Sequence, residues 1–125
     1  MIKLNKLKEG QKILLETKES VFEIDILNPN TGRAEIVGSK RFPRKTKIKI
    51  WGSHDDNGKQ VKGEIHHNAG LEIEYKDGDS NNIFVTSPVV SARLSGLDDA
   101  GKPWSVEVWE RPDIKAAVEE ARKRK

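Results

Sequence analysis

Apolar and charged side chains alternate at every second position in four separate segments of this chain, and this alternation constrains the fold most strongly. The four segments are residues 22–26, 47–50, 71–75 and 106–108. Successive side chains of a β-strand point to opposite faces, so each segment predicts a strand with one face in a core and the other in water. Together they predict an antiparallel sheet that closes on itself or folds over.

Turn-forming residues divide the stretch from 11 to 110 into short pieces, as is typical of an all-β domain. Clusters of Asn, Asp, Gly and Pro at 28–32, 55–58, 77–82 and 98–101 predict tight turns between neighbouring strands. Residues 40–45 are predicted to form a loop, and Pro88 to bend a strand or divide it in two. We therefore predict one domain over 1–125, a β-barrel or barrel-like sandwich of about 8–9 short strands.

The end of the chain has a different pattern. Pro112 suits the first position of a helix, and four apolar residues between 114 and 121 recur at the spacing of one helix face. The sequence therefore predicts one C-terminal α-helix over 112–123. A helix of about twelve residues is only marginally stable by itself in water. We therefore expect it to dock its narrow apolar stripe on the sheet, with Trp109 as its contact.

Several kinds of chemistry find no support in the sequence. The chain has no cysteine, which excludes disulfides, thiolate metal sites and cysteine nucleophiles. It has no Gly-x-Ser-x-Gly elbow, no glycine-rich phosphate loop and no apolar run of membrane-spanning length. We predict no catalytic residues, no cofactor, no membrane association and a cytoplasmic location.

Histidines and aspartates between 54 and 67 are the only cluster of metal-ligating residue types, and they do not form a good ligand set. His66 and His67 are adjacent, so on a strand they would point to opposite faces. His54, Asp55 and Asp56 occupy a predicted turn, where aspartates commonly bond their own backbone. We predict no metal site.

Charge is sorted by sign along the chain, although the net charge is only +3. Residues 38–51 carry six basic side chains and no acidic one, whereas residues 52–110 carry five basic and eleven acidic ones. A basic segment of this density can engage phosphates or carboxylates. It is the best candidate for a binding surface, with the residues Lys40, Arg41, Phe42, Arg44, Lys45, Lys47, Lys49 and Trp51.

Two aromatic residues give this segment a possible second kind of contact. Phe42 is expected at a loop tip, where it could stack on a nucleic-acid base. Trp51 is expected on the outer face beside Lys47 and Lys49, because the alternation turns Ile48 and Ile50 inward; a bulge at Gly52 would alter this.

An alternative interpretation of the same segment is purely structural. Lys47 and Lys49 can face the carboxylates at 23 and 25, or at 72 and 74, across neighbouring strands. Such cross-strand pairs contribute roughly 0.2–1 kcal/mol each and need no ligand.

The favoured function is a non-catalytic binding or accessory module that contacts an acidic partner, either protein or nucleic acid, through the basic segment. One alternative is a β-barrel that binds single-stranded nucleic acid. Another is a small hydrolase or ligand-binding barrel with His54, Asp56 and His66 at its mouth. The sequence makes no prediction of oligomeric state.

Overall fold

Eleven β-strands and one 3-10 helix (Leu4–Lys6) make up the part of the chain that the computed structural model describes, residues 1–54 and 57–109. The strands are β1 (Ile2–Lys3), β2 (Lys12–Thr17), β3 (Val21–Asn28), β4 (Arg33–Gly38), β5 (Phe42–His54), β6 (Gln60–Lys62), β7 (Glu64–Ile65), β8 (Gly70–Asp77), β9 (Ser80–Val85), β10 (Val89–Leu97) and β11 (Pro103–Trp109). Their pairings are antiparallel, which confirms the predicted mainly β, antiparallel class.

Nine strands form one sheet in the order β11-β10-β2-β3-β4-β5-β8-β9, with β6 paired to the end of β5. The chain leaves β9 at one edge and returns as β10 against β2, so that β11 becomes the other edge. Within the described residues β9 and β11 do not pair, so the closed-barrel alternative of the prediction is wrong. The strand count exceeds the predicted 8–9 because β1 and β6 are only two and three residues long, too short to show an alternation.

The alternating segments place their apolar side chains in a common core, as predicted for the central strands. Phe22, Ile24 and Ile26 of β3 are buried, as are both isoleucines of β5 at 48 and 50 and the apolar residues of β8 at 71 and 73. The prediction fails for Val106, which is 53% exposed. It lies on the edge strand β11, which has a neighbour on one side only, so that the sheet does not enclose it.

The N-terminal residues contribute to the core rather than forming a simple lead-in. Ile2, Leu4 and Leu7 are buried, and β1 pairs with β7 in a separate two-stranded sheet. The amide of Leu4 donates to the carbonyl of Gly63 at 2.9 Å. This attachment fixes Lys3 beside the β6–β7 connection, next to the far end of β5.

A bulge at Gly52 bends β5 near its C-terminal end. The β5–β8 register shifts between Ile50 and Gly52, where the glycine has φ +150°. A Cβ atom there would overlap the carbonyl oxygen of Val61, so a larger residue would push β6 away. The bulge therefore sets how closely β6 approaches β5.

The predicted helix over 112–123 and its contact with the Trp109 side chain lie outside the described residues, as do Asp55 and Asp56. No helix in the described part of the chain has the length and apolar character needed to cross a membrane.

Candidate binding surface along strand β5

Phe42 belongs to the core and does not occupy a loop tip. It is the first residue of β5, is only 1% exposed, and its ring meets those of Phe22, Tyr75 and Phe84 edge-on at centroid distances of 6.3, 5.2 and 6.1 Å. The expectation that it would stack on a base is therefore wrong.

The predicted loop over 40–45 is shorter than expected because β5 begins at Phe42. Pro43 lies where the β4–β5 pairing is irregular, between the pairs Gly38↔Phe42 and Ile36↔Thr46. A proline is tolerated there since no regular ladder bond needs its missing N–H.

The first half of β5 has its charge compensated by neighbouring strands. Lys45 Nζ lies 3.5 Å from Asp25 Oδ2, and Lys12 Nζ lies 3.8 Å from both Asp25 Oδ1 and Glu23 Oε1. Lys47 stands opposite Glu35 in the β4–β5 register. The structural interpretation of the basic segment therefore applies to this half, and it holds in part for the second half as well, because Lys49 stands opposite Glu74 in the β5–β8 register as that interpretation predicts.

The second half of β5 presents a cation–aromatic cluster. Ile48 and Ile50 are buried, so Lys49 and Trp51 share the outer face, as predicted. Lys49 Nζ lies 3.8 Å from the centroid of the Trp51 ring, and Lys62 Nζ of β6 lies 6.0 Å from it. Both distances are within the range at which an ammonium is attracted to the face of an indole.

A cleft of about 420 Å³ opens beside Trp51. Its cationic lining residues are Lys3, Lys49 and Lys62. The turn between β3 and β4 forms one wall, held against β5 because Ile50 N donates to Gly32 O at 2.8 Å. Among described residues, Glu64 is the one carboxylate lining this cleft, and its Oε1 lies 2.8 Å from His66 Nε2.

Two further depressions share lining residues with this cleft or with each other. One of about 600 Å³ shares Lys49 with the cleft and is lined by Arg33, Lys47, Lys49 and Lys76, with Glu74 opposite Lys49 in the β5–β8 register. Another, of about 530 Å³, shares Tyr75 and Lys76 with the second and adds Lys40, Arg41 and the carboxylate of Asp77. We call the cleft and the two depressions together the basic track.

Arg41 closes the far end of the basic track with a contact that resembles the one at Trp51. Its Cζ lies 4.2 Å from the centroid of the Phe84 ring, and its Nη1 donates to the hydroxyl oxygen of Tyr75 at 3.1 Å. Tyr75 and Phe84 stand opposite the buried Ile48 and Ile73 and pack against the core, so the Arg41 contact lies on the core side of the sheet, whereas Lys49 and Trp51 share the outer face.

The structure collects most, though not all, of the predicted surface into this track. The predicted residues that line it as exposed or half-buried side chains are Lys40, Arg41, Lys47, Lys49 and Trp51. Arg44 and Lys45 are exposed and lie outside it. Four further cations that were not predicted also line the track: Lys3, Arg33, Lys62 and Lys76.

Lys62 could have been found from the sequence. The turn signal at Asn57 and Gly58 predicts a hairpin that brings residue 62 near the end of β5. A two-residue turn there would pair residue 62 with Ser53, whereas the structure pairs it with Gly52, so the signal gives the neighbourhood of Lys62 but not its register. Lys3 had no comparable signal, because its position depends on the two-residue pairing of β1 with β7.

Two of the three histidines, His54 and His66, are engaged in separate pairs with carboxylates. His54 Nε2 contacts Glu72 Oε1, and Gln60 Nε2 donates to Glu72 Oε2 at 2.7 Å. His66 pairs with Glu64 on another strand. In the described part of the chain, no three His, Asp or Glu side chains come together as a metal ligand set.

Ser53, which lies between these two pairs, has a structural environment. It is buried, its hydroxyl donates to the carbonyl of Glu64 at 2.9 Å, and it accepts from the amide of His66 at 2.8 Å. Both bonds are to backbone groups, so this hydroxyl ties β7 to β5 and is not activated by a histidine ring.

Comparison with known proteins adds no family to these observations: no protein-family model, curated protein or solved structure matches the chain.

Proposed function

We propose that this protein is a non-catalytic binding module that holds an acidic partner along the basic track. The observation that carries the proposal is the cluster at Trp51, where two lysines flank an indole at the mouth of a cleft whose third cation is Lys3. Like charges gathered around one cleft raise the local concentration of an anionic partner and accelerate its association.

The charge distribution favours the second half of β5 as the contact region. Lys45 already has Asp25 as a neighbour, whereas Lys49 and Lys62 approach an aromatic ring that carries no formal charge. Lys49 stands opposite Glu74 in the β5–β8 register, but within the described residues no ion pair of 4.0 Å or less joins Lys49 or Lys62 to a carboxylate. An incoming carboxylate or phosphate group therefore has no such pair to displace among these residues.

Charge reversal tests the proposal directly. The double variant Lys49→Glu/Lys62→Glu should weaken binding of fluorescent polyglutamate and of fluorescent oligo(dT) by at least about tenfold, measured by anisotropy at low salt. The matched control is Lys18→Glu/Lys102→Glu, which makes the same change in net charge at exposed lysines outside the track. Thermal unfolding of each variant checks that the fold is retained.

The pattern of losses decides the outcome. Loss confined to Lys49→Glu/Lys62→Glu for at least one probe supports the proposal. Equal losses in both double variants would mean that only net charge matters, and the proposal would be overturned. If neither polyglutamate nor oligo(dT) binds the unmodified protein, the proposal is overturned as well.

A further inference from the structure

We infer that the acidic partner is a single-stranded nucleic acid, with its backbone along the basic track and one base stacked on Trp51; this inference rests on the proposed function. Its first support is the shape of the track. The cleft beside Trp51 shares Lys49 with the next depression, which adds Arg33, Lys47 and Lys76 to the cations of the cleft. A group of cations that extends beyond one cleft suits an extended chain better than a compact ligand.

The aromatic ring at the end of the track is the second support. An acidic peptide segment supplies carboxylates for the lysines and need not carry a planar group, whereas every nucleotide of a single strand supplies both a phosphate and a base. The site at Trp51 has a partner for each, the indole for the base and Lys49 and Lys62 for the phosphates. The nucleic acid therefore uses the whole cluster and the peptide only part of it.

The lysines that cover Trp51 do not prevent stacking. Each ammonium group sits on a flexible four-carbon stem, and its attraction to the half-buried indole of Trp51 is worth only about 1–2 kcal/mol. A phosphate offers each lysine a stronger partner, so the ammonium groups can turn outward as the base takes their place on the ring. Nε1 of Trp51 is buried, so the edge of the ring that carries it stays fixed in the protein during this exchange.

The same geometry discriminates against a duplex. Paired bases are stacked on one another and cannot reach a single indole, so a duplex can use the cations of the track alone. Binding to duplex should therefore depend on the lysines and be indifferent to Trp51.

The test compares three labelled or competing probes on the full chain: an oligo(dT) of about 12 nucleotides, a duplex of similar length, and inorganic polyphosphate, which has phosphates and no bases. Trp51→Ala should weaken oligo(dT) binding roughly 5- to 100-fold and leave duplex and polyphosphate within about twofold. Trp51→Phe keeps an aromatic face and should recover most of the oligo(dT) affinity.

Salt dependence provides a second readout. If about five phosphates are neutralised, the logarithm of the oligo(dT) association constant should fall with a slope near −3.5 against the logarithm of salt concentration. Trp51→Ala should lower the affinity without changing this slope, whereas Lys49→Gln should make it shallower by about 0.7.

The outcomes separate this inference from the proposed function. A Trp51→Ala variant that binds all three probes as before, or loses all three equally, overturns base stacking and leaves the acidic-partner proposal standing. Tighter binding of polyglutamate than of oligo(dT) would identify an acidic protein instead. If oligo(dT), polyphosphate and polyglutamate all fail to bind the unmodified protein, both proposals fall.

Discussion

The two ends of β5 carry the same combination of residues in opposite environments. At the start of the strand, Arg41 lies over Phe84, and Phe42 packs beneath in a buried aromatic cluster. Near the other end, Lys49 lies over Trp51, and that ring borders an open cleft. A cation next to an aromatic residue therefore does not distinguish core from surface. The difference comes from strand register, which turns Phe42 inward and Trp51 outward.

The strongest way to break this comparison is to remove each aromatic ring. Phe42→Ala leaves a cavity among three other rings and should lower the free energy of unfolding by about 3–5 kcal/mol. Trp51→Ala removes a half-buried ring and should cost only about 1–2 kcal/mol. Urea denaturation measures both values. Equal losses would show that the two rings have the same structural role.

A second prediction concerns the bulge that holds Lys62 near Trp51. Gly52→Ala forces a Cβ against the Val61 carbonyl at φ +150° and should cost about 2–4 kcal/mol, with weaker anion binding because β6 must move. Gly58→Ala is the matched control: it also has positive φ, but no atom lies within 4 Å of its added Cβ. That control should cost about 1 kcal/mol and leave binding unchanged. A binding loss as large in Gly58→Ala would contradict this account of the bulge.

The third and smallest predicted effect concerns the ion pair of Lys45 in the first half of β5. Asp25→Asn removes the carboxylate shared by Lys12 and Lys45 and should reduce stability by no more than about 1 kcal/mol, because the side chains of both lysines are more than half exposed. It should also raise polyphosphate affinity about two- to threefold at low salt, since Lys45 loses its partner, whereas Lys12 keeps Glu23.

Glu107→Gln provides the control for that substitution. It breaks the exposed Arg93–Glu107 pair, which has an N–O distance of 2.7 Å and joins β10 to the edge strand β11, whereas Asp25 pairs with a lysine of β5 itself. It makes the same change in net charge, so it should leave polyphosphate affinity within about 20% of the original value. Equal gains from Asp25→Asn and Glu107→Gln would mean that the response is to net charge and not to Lys45.

Much of the sheet could be predicted from the sequence because its central strands bury one face. Residues 22–26 and 71–75 alternate strictly, and the structure follows that alternation into the core. Barrel closure could not be predicted in this way. Closure depends on whether the two edge strands of the sheet, β9 and β11, pair with each other. The alternation within a strand carries no information about which strands are its neighbours.

The candidate site likewise contains residues that the sequence places correctly and residues that it does not. Lys49 and Trp51 belong to one strand, so their shared outer face follows from local alternation. Lys3 and Lys62 reach them through pairings that involve β1 and β6, each too short to leave a periodic signal. Phe42 was misassigned for a related reason: the proline that follows it suggested a loop, whereas β5 continues through an irregular pairing.

The pairing of β10 with β2 has a consequence for synthesis of the protein. β2 through β5 can form as successive hairpins while the chain emerges, but the outer edge of β2 is covered only when residues 89–97 arrive, more than 70 positions later. Until then the nascent sheet exposes unpaired N–H and C=O groups beside Leu14, a side chain that stays half-exposed even in the complete fold. We therefore expect a nascent chain that stalls before residue 89 to be prone to aggregation through this open strand edge and to depend on chaperones.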